Sequence, residues 1–244
     1  RGLDRGARAR PLRGVHGGRG VSTPEGARRL LQEPAPGAEL WLVDARHPGE
    51  PDGRALLDAE ERARAERLRR PADRRLYIAA HVLLRRLLGA RLDRDPAGIR
   101  YVREPCPGCG APHGRPAVPG APVHFSLSHS GDLALIALAD RPVGVDLEAL
   151  ADPALVNDVS RTLHPREREE LTSLPEGTSR VEAFTRCWTR KEAYLKGTGE
   201  GITGEGLVGT LVGTGEVPVA PPGWTLTDVR VGEGYAGACS VRTA

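Results

Sequence analysis

Two lysines and a glutamate lie close together in the segment Trp188-Thr189-Arg190-Lys191-Glu192-Ala193-Tyr194-Leu195-Lys196. Its apolar residues recur at helical spacing, so Glu192 and Lys196, four positions apart, would be neighbours on a helix. Lys191 and Lys196 are the only lysines among 35 basic residues. A flexible ammonium neutralises phosphate and can transfer a proton, whereas arginine keeps its charge. We interpret these three residues as catalytic candidates; the alternative is an ordinary ion pair on a solvated helix.

A second candidate group is the pair of acids in Val143-Gly144-Val145-Asp146-Leu147-Glu148. On a strand the side chains alternate, so Asp146 and Glu148 share one face with Gly144. Neighbouring carboxylates repel each other unless a cation lies between them, and sparse hard oxygen ligands suit Mg²⁺. The pattern favours a Mg²⁺ site, although two solvated acids at a strand end would give the same sequence.

Ser128, His129 and Ser130 form a third candidate group, at the end of the first strand of a predicted hairpin. An imidazole beside two hydroxyls at a strand end can hold a phosphate, which makes Ser128 and His129 candidates for binding a phosphorylated cofactor. The alternative is a structural histidine. No G-x-S-x-G segment is present, which disfavours a serine hydrolase.

Cys106 and Cys109 form a C-x-x-C half-site, and His113 follows four residues later. A closed zinc site needs four ligands, whereas the remaining cysteines, Cys187 and Cys239, are each isolated. Both a zinc site and a simple turn with two thiols remain open at this point.

The elements that position these groups follow from the periodicity of the apolar residues. We predict strands over residues 39–43, 99–102, 123–129, 133–138, 143–148, 206–212, 224–231 and 234–241. We predict helices over residues 56–70, 73–90, 153–159, 165–171 and 182–196, with Asp58 capping the first. Helices followed by strands occur before about residue 140 and again after it. We therefore predict an α+β fold with an N-terminal half over residues 38–140 and a C-terminal half over residues 141–244.

Residues 1–37 precede the first predicted strand and are rich in Arg and Gly, above all over residues 1–22. Such a segment cannot bury enough apolar surface to fold, so we predict a disordered tail. The alternative is an arm that binds nucleic acid.

Composition limits the function. The net charge of +3 suits a small anionic ligand or an acidic protein partner and does not demand nucleic acid. Four cysteines in 244 residues are not a disulfide framework. No run of 18 apolar residues and no apolar signal-peptide core is present. We therefore expect a cytoplasmic monomer that neither crosses a membrane nor binds nucleic acid.

Four motifs together resemble those of the Sfp-type 4′-phosphopantetheinyl transferases. They are Gly114-Arg115-Pro116, Phe125-Ser126-Leu127-Ser128-His129-Ser130, Gly144-Val145-Asp146-Leu147-Glu148 and Trp188-Thr189-Arg190-Lys191-Glu192-Ala193 with Lys196. Their order and spacing both fit, over roughly residues 38–241, and the Cys106/Cys109 turn resembles one found in actinobacterial members.

The resemblance implies an activity and a fold. Enzymes of this family move the phosphopantetheine arm of coenzyme A onto a serine of an apo acyl- or peptidyl-carrier protein and release adenosine 3′,5′-bisphosphate. The implied fold consists of two similar α/β halves related by a pseudo-two-fold, with coenzyme A in the cleft between them.

The resemblance also implies residue roles. The carboxylates that match Asp146, Glu148 and Glu192 hold Mg²⁺ on the pyrophosphate. The lysines that match Lys191 and Lys196 contact phosphate or aid proton transfer.

Two positions that match coenzyme-binding residues, His129 and Arg115, are implied to hold the region of the adenosine 3′-phosphate; Arg115 stands where many relatives have lysine. The family often has an arginine in the second helix that reaches the coenzyme. Here the matching position is Leu76, so its neighbours Arg74 and Arg75 become the candidates.

Two other functions fit parts of the pattern. Asp146, Glu148 and Glu192 could serve a metal-dependent nucleotide or phosphate-ester hydrolase. Alternatively, the arginine-rich tail and the cysteine turn could belong to an RNA-binding module, against which the acidic pair argues. The sequence names neither the carrier protein nor the pathway.

Overall fold

The computed structural model describes residues 21–46, 53–201 and 204–243. Within them the predicted α+β fold is confirmed. The strands are β1 (Ala27–Arg29), β2 (Glu39–Asp44), β3 (Val102–Arg103), β4 (Pro116–Ala117), β5 (His124–Ser130), β6 (Leu133–Ala139), β7 (Val143–Ala149), β8 (Trp224–Asp228) and β9 (Tyr235–Arg242). The α-helices are α1 (Ala59–Arg67), α2 (Pro71–Leu92), α3 (Pro153–Val159), α4 (Pro165–Ser173), α5 (Thr178–Thr198) and α6 (Gly204–Gly209).

Two antiparallel sheets organise the chain. The first has the strand order β1-β2-β6-β5 and the second has the order β7-β9-β8. In each, a strand is followed by helices and then by a hairpin, and the last strand of the hairpin pairs with the first strand. The units β2-α2-β5-β6 and β7-α5-β8-β9 therefore share one topology.

Strand β6 is buried along its whole length because both of its faces are covered. Ile136 and Leu138 lie in a core cluster with Leu83 of α2. Leu133 and Leu135 lie in a second cluster that includes the apolar side chains of β7. A strand covered on both faces is expected to be continuously apolar, as the sequence of β6 predicts.

Helix α5 crosses strand β7 in direct backbone contact. A Cβ atom on Gly144 would lie 2.0 Å from the carbonyl oxygen of Ala193 and 2.3 Å from the nitrogen of Gly197. A Cβ atom on Gly197 would in turn lie 2.7 Å from the ring of Trp224. Glycine is needed at both positions because the helix and strand axes approach more closely than side chains allow.

The helical pair α1–α2 is held together by a buried arginine. Arg85 of α2 is fully buried and lies 2.7 Å from carboxylate oxygens of both Asp58 and Glu61. It also donates to the carbonyl oxygens of Pro96 and Ile99. Asp58 caps α1 as predicted and forms a capping box with Glu61. The sequence did not single out Arg85, which lies among many surface arginines.

Part of the predicted tail is ordered. Residues 1–20 lie outside the described residues, but residues 27–29 form β1 and pair with β2. Leu30 is buried and lies in the core cluster that includes β7. The prediction of disorder up to residue 37 was wrong because backbone pairing at a sheet edge needs few apolar side chains, and one leucine anchors the segment.

The strand predicted over residues 206–212 is not formed. Residues 204–209 form α6, and the segment that follows pairs with neither β8 nor β9. Carbonyl oxygens of Leu207 and Thr210 instead accept hydrogen bonds from Lys191. These carbonyl oxygens therefore bind the ammonium of Lys191 and not the backbone N–H groups of a neighbouring strand. The short strand predicted over residues 99–102 is limited to β3.

None of the helices among the described residues is long and apolar enough to cross a membrane.

Replacing Gly144 with alanine is expected to lower the free energy of unfolding by about 3 kcal/mol or more, because the new methyl group would overlap the backbone of α5. Gly215→Ala is the matched control, since a Cβ atom there meets nothing within 4 Å. Denaturant unfolding of both variants measures the difference. Equal stabilities of Gly144→Ala and the wild type would contradict the close crossing.

Candidate active site

Asp146 lies at the centre of a cluster of charged side chains and is completely buried. Its Oδ1 atom accepts hydrogen bonds from Ser128 Oγ at 2.7 Å and from Lys196 Nζ at 2.5 Å. Its Oδ2 atom is buried and has no hydrogen-bond partner among the described residues. A buried carboxylate oxygen without a partner is costly, so this atom is suited to bind a cation or a hydrogen-bond donor.

Three carboxylates converge at this position. Oxygen atoms of Asp146, Glu148 and Glu192 all lie within 4.8 Å of one another. Asp146 and Glu148 come from the same face of β7, as predicted, and Glu192 comes from α5 at the crossing over that strand. The geometry therefore brings together the residues that the sequence assigned to a metal.

Burial and mutual repulsion raise the pKa values of two of these acids. Burial, followed by the negative charge of Asp146, raises the pKa of Glu192 to about 7, and the ammonium of Lys196 opposes the shift. Burial and Asp146 also raise the pKa of Glu148, while a hydrogen bond from Ser130 opposes that shift. Both acids hold their protons more tightly than usual because burial and the neighbouring negative charge disfavour their ionised forms.

The ammonium of Lys196 partly offsets that negative charge. Its Nζ atom contacts Asp146 and lies 3.6 Å from Glu192 Oε2, and it also donates to Ser128 Oγ at 2.9 Å. The side chain is 31% exposed, so it can reach a ligand outside the cluster. Lys196 thus lies between the buried acids and solvent, and it neighbours Glu192 as their spacing predicted.

The arrangement fits a hard divalent cation. Three carboxylates offer oxygen ligands within a small space, and Asp146 Oδ2 is available to bind. Mg²⁺ prefers such oxygen ligands and usually keeps several coordination positions for water or phosphate. Bound there, Mg²⁺ would offset the repulsion that raises the pKa values of Glu148 and Glu192.

The serines of β5 connect the two sheets. Ser126 Oγ accepts from the backbone N–H of Val145, and Ser130 Oγ accepts from that of Ala149 and donates to Glu148. Ser128, predicted to bind phosphate, is buried and bonded to Asp146 and Lys196. These contacts between the serines of β5 and strand β7 were not predicted. The signal for them was the alternate spacing of the serines on β5, which matches that of the acids on β7.

His129 points away from these serines, as alternation along β5 requires. The side chain is exposed at the end of the strand. Partial desolvation of the ring and then the positive charge of Lys196 lower the pKa of His129, with smaller effects from charges on α1 and α2. The shift therefore disfavours the charged form of the imidazole.

The side chain of Arg115 contacts the C-terminal end of α5. Its guanidinium contacts Glu104 Oε2 at 2.6 Å and donates to the carbonyl oxygen of Gly197 at 3.0 Å. Gly197 directly follows Lys196, so Arg115 fixes the end of the helix that carries the ammonium. The side chain is already paired before any ligand is bound.

Arg74 and Arg75 lie near the N-terminal end of α2. Arg74 donates to the carbonyl oxygen of Leu68 at 2.9 Å. The Nε atoms of both arginines are buried and have no hydrogen-bond partner among the described residues. These arginines are partly buried, and their role in binding the coenzyme stays a prediction.

Lys191 is not brought to this cluster. It is completely buried, and its Nζ atom lies 2.7 Å from Glu167 Oε2 and donates to carbonyl oxygens of the segment after α5. Glu167 also accepts from the backbone of Val212 and Gly213. Lys191 and Lys196 are five residues apart and diverge by about 140° around a helix. The helical spacing therefore already indicated that only one lysine could neighbour Glu192.

Comparisons with known proteins agree with this geometry. The model of the 4'-phosphopantetheinyl transferase superfamily matches residues 142–212, which include Asp146, Glu148, Glu192 and Lys196. A putative 4'-phosphopantetheinyl transferase of Synechocystis is 36% identical over 174 residues, which cover 69% of this chain and 68% of that protein.

Two further relatives carry the same name. The 4'-phosphopantetheinyl transferase HetI of Nostoc is 36% identical over 167 residues, which cover 67% of this chain and 69% of HetI. The 4'-phosphopantetheinyl transferase Sfp of Bacillus subtilis is 24% identical over 150 residues, covering 61% of this chain and 63% of Sfp. These findings confirm the resemblance that the four motifs predicted, and the chain belongs to the 4'-phosphopantetheinyl transferase superfamily.

Proposed function

We propose that this protein transfers the 4'-phosphopantetheine arm of coenzyme A to a serine of an apo acyl- or peptidyl-carrier protein, with Mg²⁺ as cofactor. One observation carries the proposal: three carboxylates and one accessible ammonium meet inside the segment that matches the superfamily. Phosphoryl transfer depends mainly on positioning and on neutralising charge, which this set of groups provides.

Asp146, Glu148 and Glu192 are the residues that would hold the ion. Mg²⁺, when bound, neutralises pyrophosphate oxygens and orients the group that is transferred. The orphaned Oδ2 atom of Asp146 and the raised pKa values of the other two acids support this assignment.

Glu192 is suited to accept the proton of the carrier serine, directly or through a water molecule. A general base must be ionised, and a cation held by the cluster would favour the ionised form of Glu192. As the proton leaves, the serine oxygen forms a bond to the β-phosphorus of coenzyme A. The bond from that phosphorus to the bridging pyrophosphate oxygen breaks, and adenosine 3',5'-bisphosphate leaves.

Lys196 is suited to neutralise or protonate the leaving group. Its ammonium is partly exposed and is held by Asp146 and Ser128, so it can neutralise or protonate the departing phosphate without losing its position. Lys191 is structural in this proposal, because its ammonium is buried against Glu167.

Four further residues are proposed to contact coenzyme A. Arg115 at the end of α5 and the imidazole of His129 would contact the region of the 3'-phosphate, with Arg74 and Arg75 as further cations. Ser128 contributes by orienting Asp146 and Lys196, so its contact with coenzyme A is indirect.

The protein would act as a cytoplasmic monomer that uses no nucleic acid. Strand β7 and helix α5 of one chain supply all three carboxylates, which supports a monomer. The use of coenzyme A as donor substrate supports a cytoplasmic location.

Incubation with coenzyme A, Mg²⁺ and an apo carrier protein is expected to add the mass of one phosphopantetheine to the carrier, as measured by intact-protein mass spectrometry. A carrier whose acceptor serine is replaced by alanine is the control and gains nothing. Release of adenosine 3',5'-bisphosphate without a carrier would contradict the transfer and would indicate the alternative hydrolase.

Mg²⁺ is expected to raise the melting temperature more at about pH 8 than at about pH 5.5. Because the pKa of Glu192 is raised, the metal-free folded protein favours the protonated acid. The folded protein therefore loses stability as the pH rises from 4.5, the ordinary pKa of a glutamate, to about 7. Mg²⁺ needs the ionised form, so it restores stability above pH 7, by about 2.7 kcal/mol at a hundredfold excess over Kd.

Glu192→Gln is the control for this pH dependence. Its amide does not titrate, so most of the difference between the two pH values should disappear. A Mg²⁺ effect that is equal at both pH values in the wild type would count against metal binding by this acid.

The two lysines are expected to respond differently to replacement by methionine. Lys191→Met leaves Glu167 buried without its partner and should lower the free energy of unfolding by about 3–5 kcal/mol. Lys196→Met should keep the fold and lower kcat by about 10²-fold, the usual scale for losing acid–base help.

Thermal unfolding and steady-state kinetics distinguish the two effects. Adding Glu167→Gln to Lys191→Met should recover part of the lost stability, because the orphaned charge is removed. A Lys191→Met protein that melts like the wild type but has lost turnover would place Lys191 in the chemistry instead.

A further inference from the structure

The segment between β3 and β4 carries a second group of metal-ligating side chains, separate from the three carboxylates. Ligand atoms of Cys106, Cys109 and His113 all lie within 4.8 Å of one another, and Cys109 Sγ is 3.0 Å from His113 Nε2. The proposed transfer reaction uses none of these residues. Two thiols and an imidazole are the donor set that zinc prefers, whereas Mg²⁺ takes oxygen ligands.

The backbone of this segment is already folded around the cluster. Gly110 N–H donates to the carbonyl oxygen of Cys106, and the N–H groups of Cys106 and His113 donate to that of Ala111. Gly110 has a φ of 74°, a left-handed conformation that glycine adopts without strain.

Apolar packing does not explain why this segment is ordered. No residue from 102 to 117 belongs to a hydrophobic core cluster of the described structure, and β3 and β4 have two residues each. A ribbon this short is not stable alone in water. Small segments without a core are commonly held by a structural metal.

We propose that Cys106, Cys109 and His113 bind one Zn²⁺ ion, with water in the fourth position. Cys109 and His113 are exposed, so the fourth position is open to solvent. His113 is followed by Gly114 and then Arg115, whose guanidinium contacts the end of α5. The ion would therefore fix the segment from which Arg115 reaches Gly197, next to Lys196.

A second contact joins the proposed zinc site to the end of α5. Cys106 Sγ lies 3.9 Å from the carbonyl oxygen of Glu200, just after the helix. A Cβ atom on Gly199 would lie 3.1 Å from Arg115 Cγ, so the segment and the helix end are packed closely. Loss of the ion should loosen the packing of this segment against Gly199.

The test begins with the zinc content of the full chain, expressed with zinc in the medium and purified under reducing conditions without chelators. We expect one zinc per chain in the wild type and in two controls, Cys239→Ala and Asp146→Ala. Cys239 is a buried thiol far along the chain, and Asp146 belongs to the carboxylate cluster. Cys106→Ser and His113→Ala should lose most of the zinc.

Cobalt replacement identifies the ligands. Co²⁺ added to the metal-free wild type should give a thiolate-to-cobalt charge-transfer band, which Cys106→Ser and Cys109→Ser weaken or remove and which Cys239→Ala keeps. A wild type that contains no zinc and gives no such band would overturn the proposal. So would a Cys106–Cys109 disulfide in the protein as isolated, or an unchanged zinc content in Cys106→Ser.

Hydrogen exchange tests what the ion does. Removing zinc with a chelator should speed amide exchange over residues 102–117 and at the end of α5, while β6 and β7 stay protected. Unchanged exchange in residues 102–117 would overturn the structural role. Both readouts are independent of turnover, so they stand whether or not the transferase activity is found.

Discussion

The close crossing of α5 over β7 determines the geometry of the candidate site. At Gly144 the strand touches the backbone of the helix, and no side chain fits between them. Asp146 and Glu148 follow on the same face of the strand, while Glu192 lies on the side of the helix that meets it. The three acids converge because two glycines allow the elements to touch, and a larger residue at either position would move the helix away.

The convergence creates an electrostatic cost that the protein only partly offsets. Lys196 neutralises one charge, and serine hydroxyls of β5 donate to Asp146 and Glu148. Burial still raises the pKa of Glu192 to about 7. A fold that needed only stability would not keep three carboxylates this close, so the arrangement is best explained by the positive charge that a ligand brings.

Much of this could be predicted from the sequence. The hairpin, the acidic strand and the helix of Glu192 followed from periodicity, and the acids shared a face as alternation requires. The exceptions have tertiary causes. Strand β1 is ordered because it pairs with β2 at the edge of the sheet. The segment after α6 forms no strand, and its Thr210 carbonyl binds the ammonium of Lys191. Arg85 is buried between Asp58 and Glu61. Whether a particular arginine or lysine faces solvent depends on contacts between distant segments, which composition cannot reveal.

We propose that one divalent ion, held by the three carboxylates, would also bind phosphate oxygens of coenzyme A. Electron–nuclear double resonance with Mn²⁺ in place of Mg²⁺ tests it most directly, because phosphorus couplings appear only when phosphate oxygens bind the ion. We predict phosphorus coupling in the wild type with coenzyme A, and loss of the bound ion in Asp146→Asn. Tight Mn²⁺ binding in Asp146→Asn, or a wild-type spectrum without phosphorus coupling, would contradict the account.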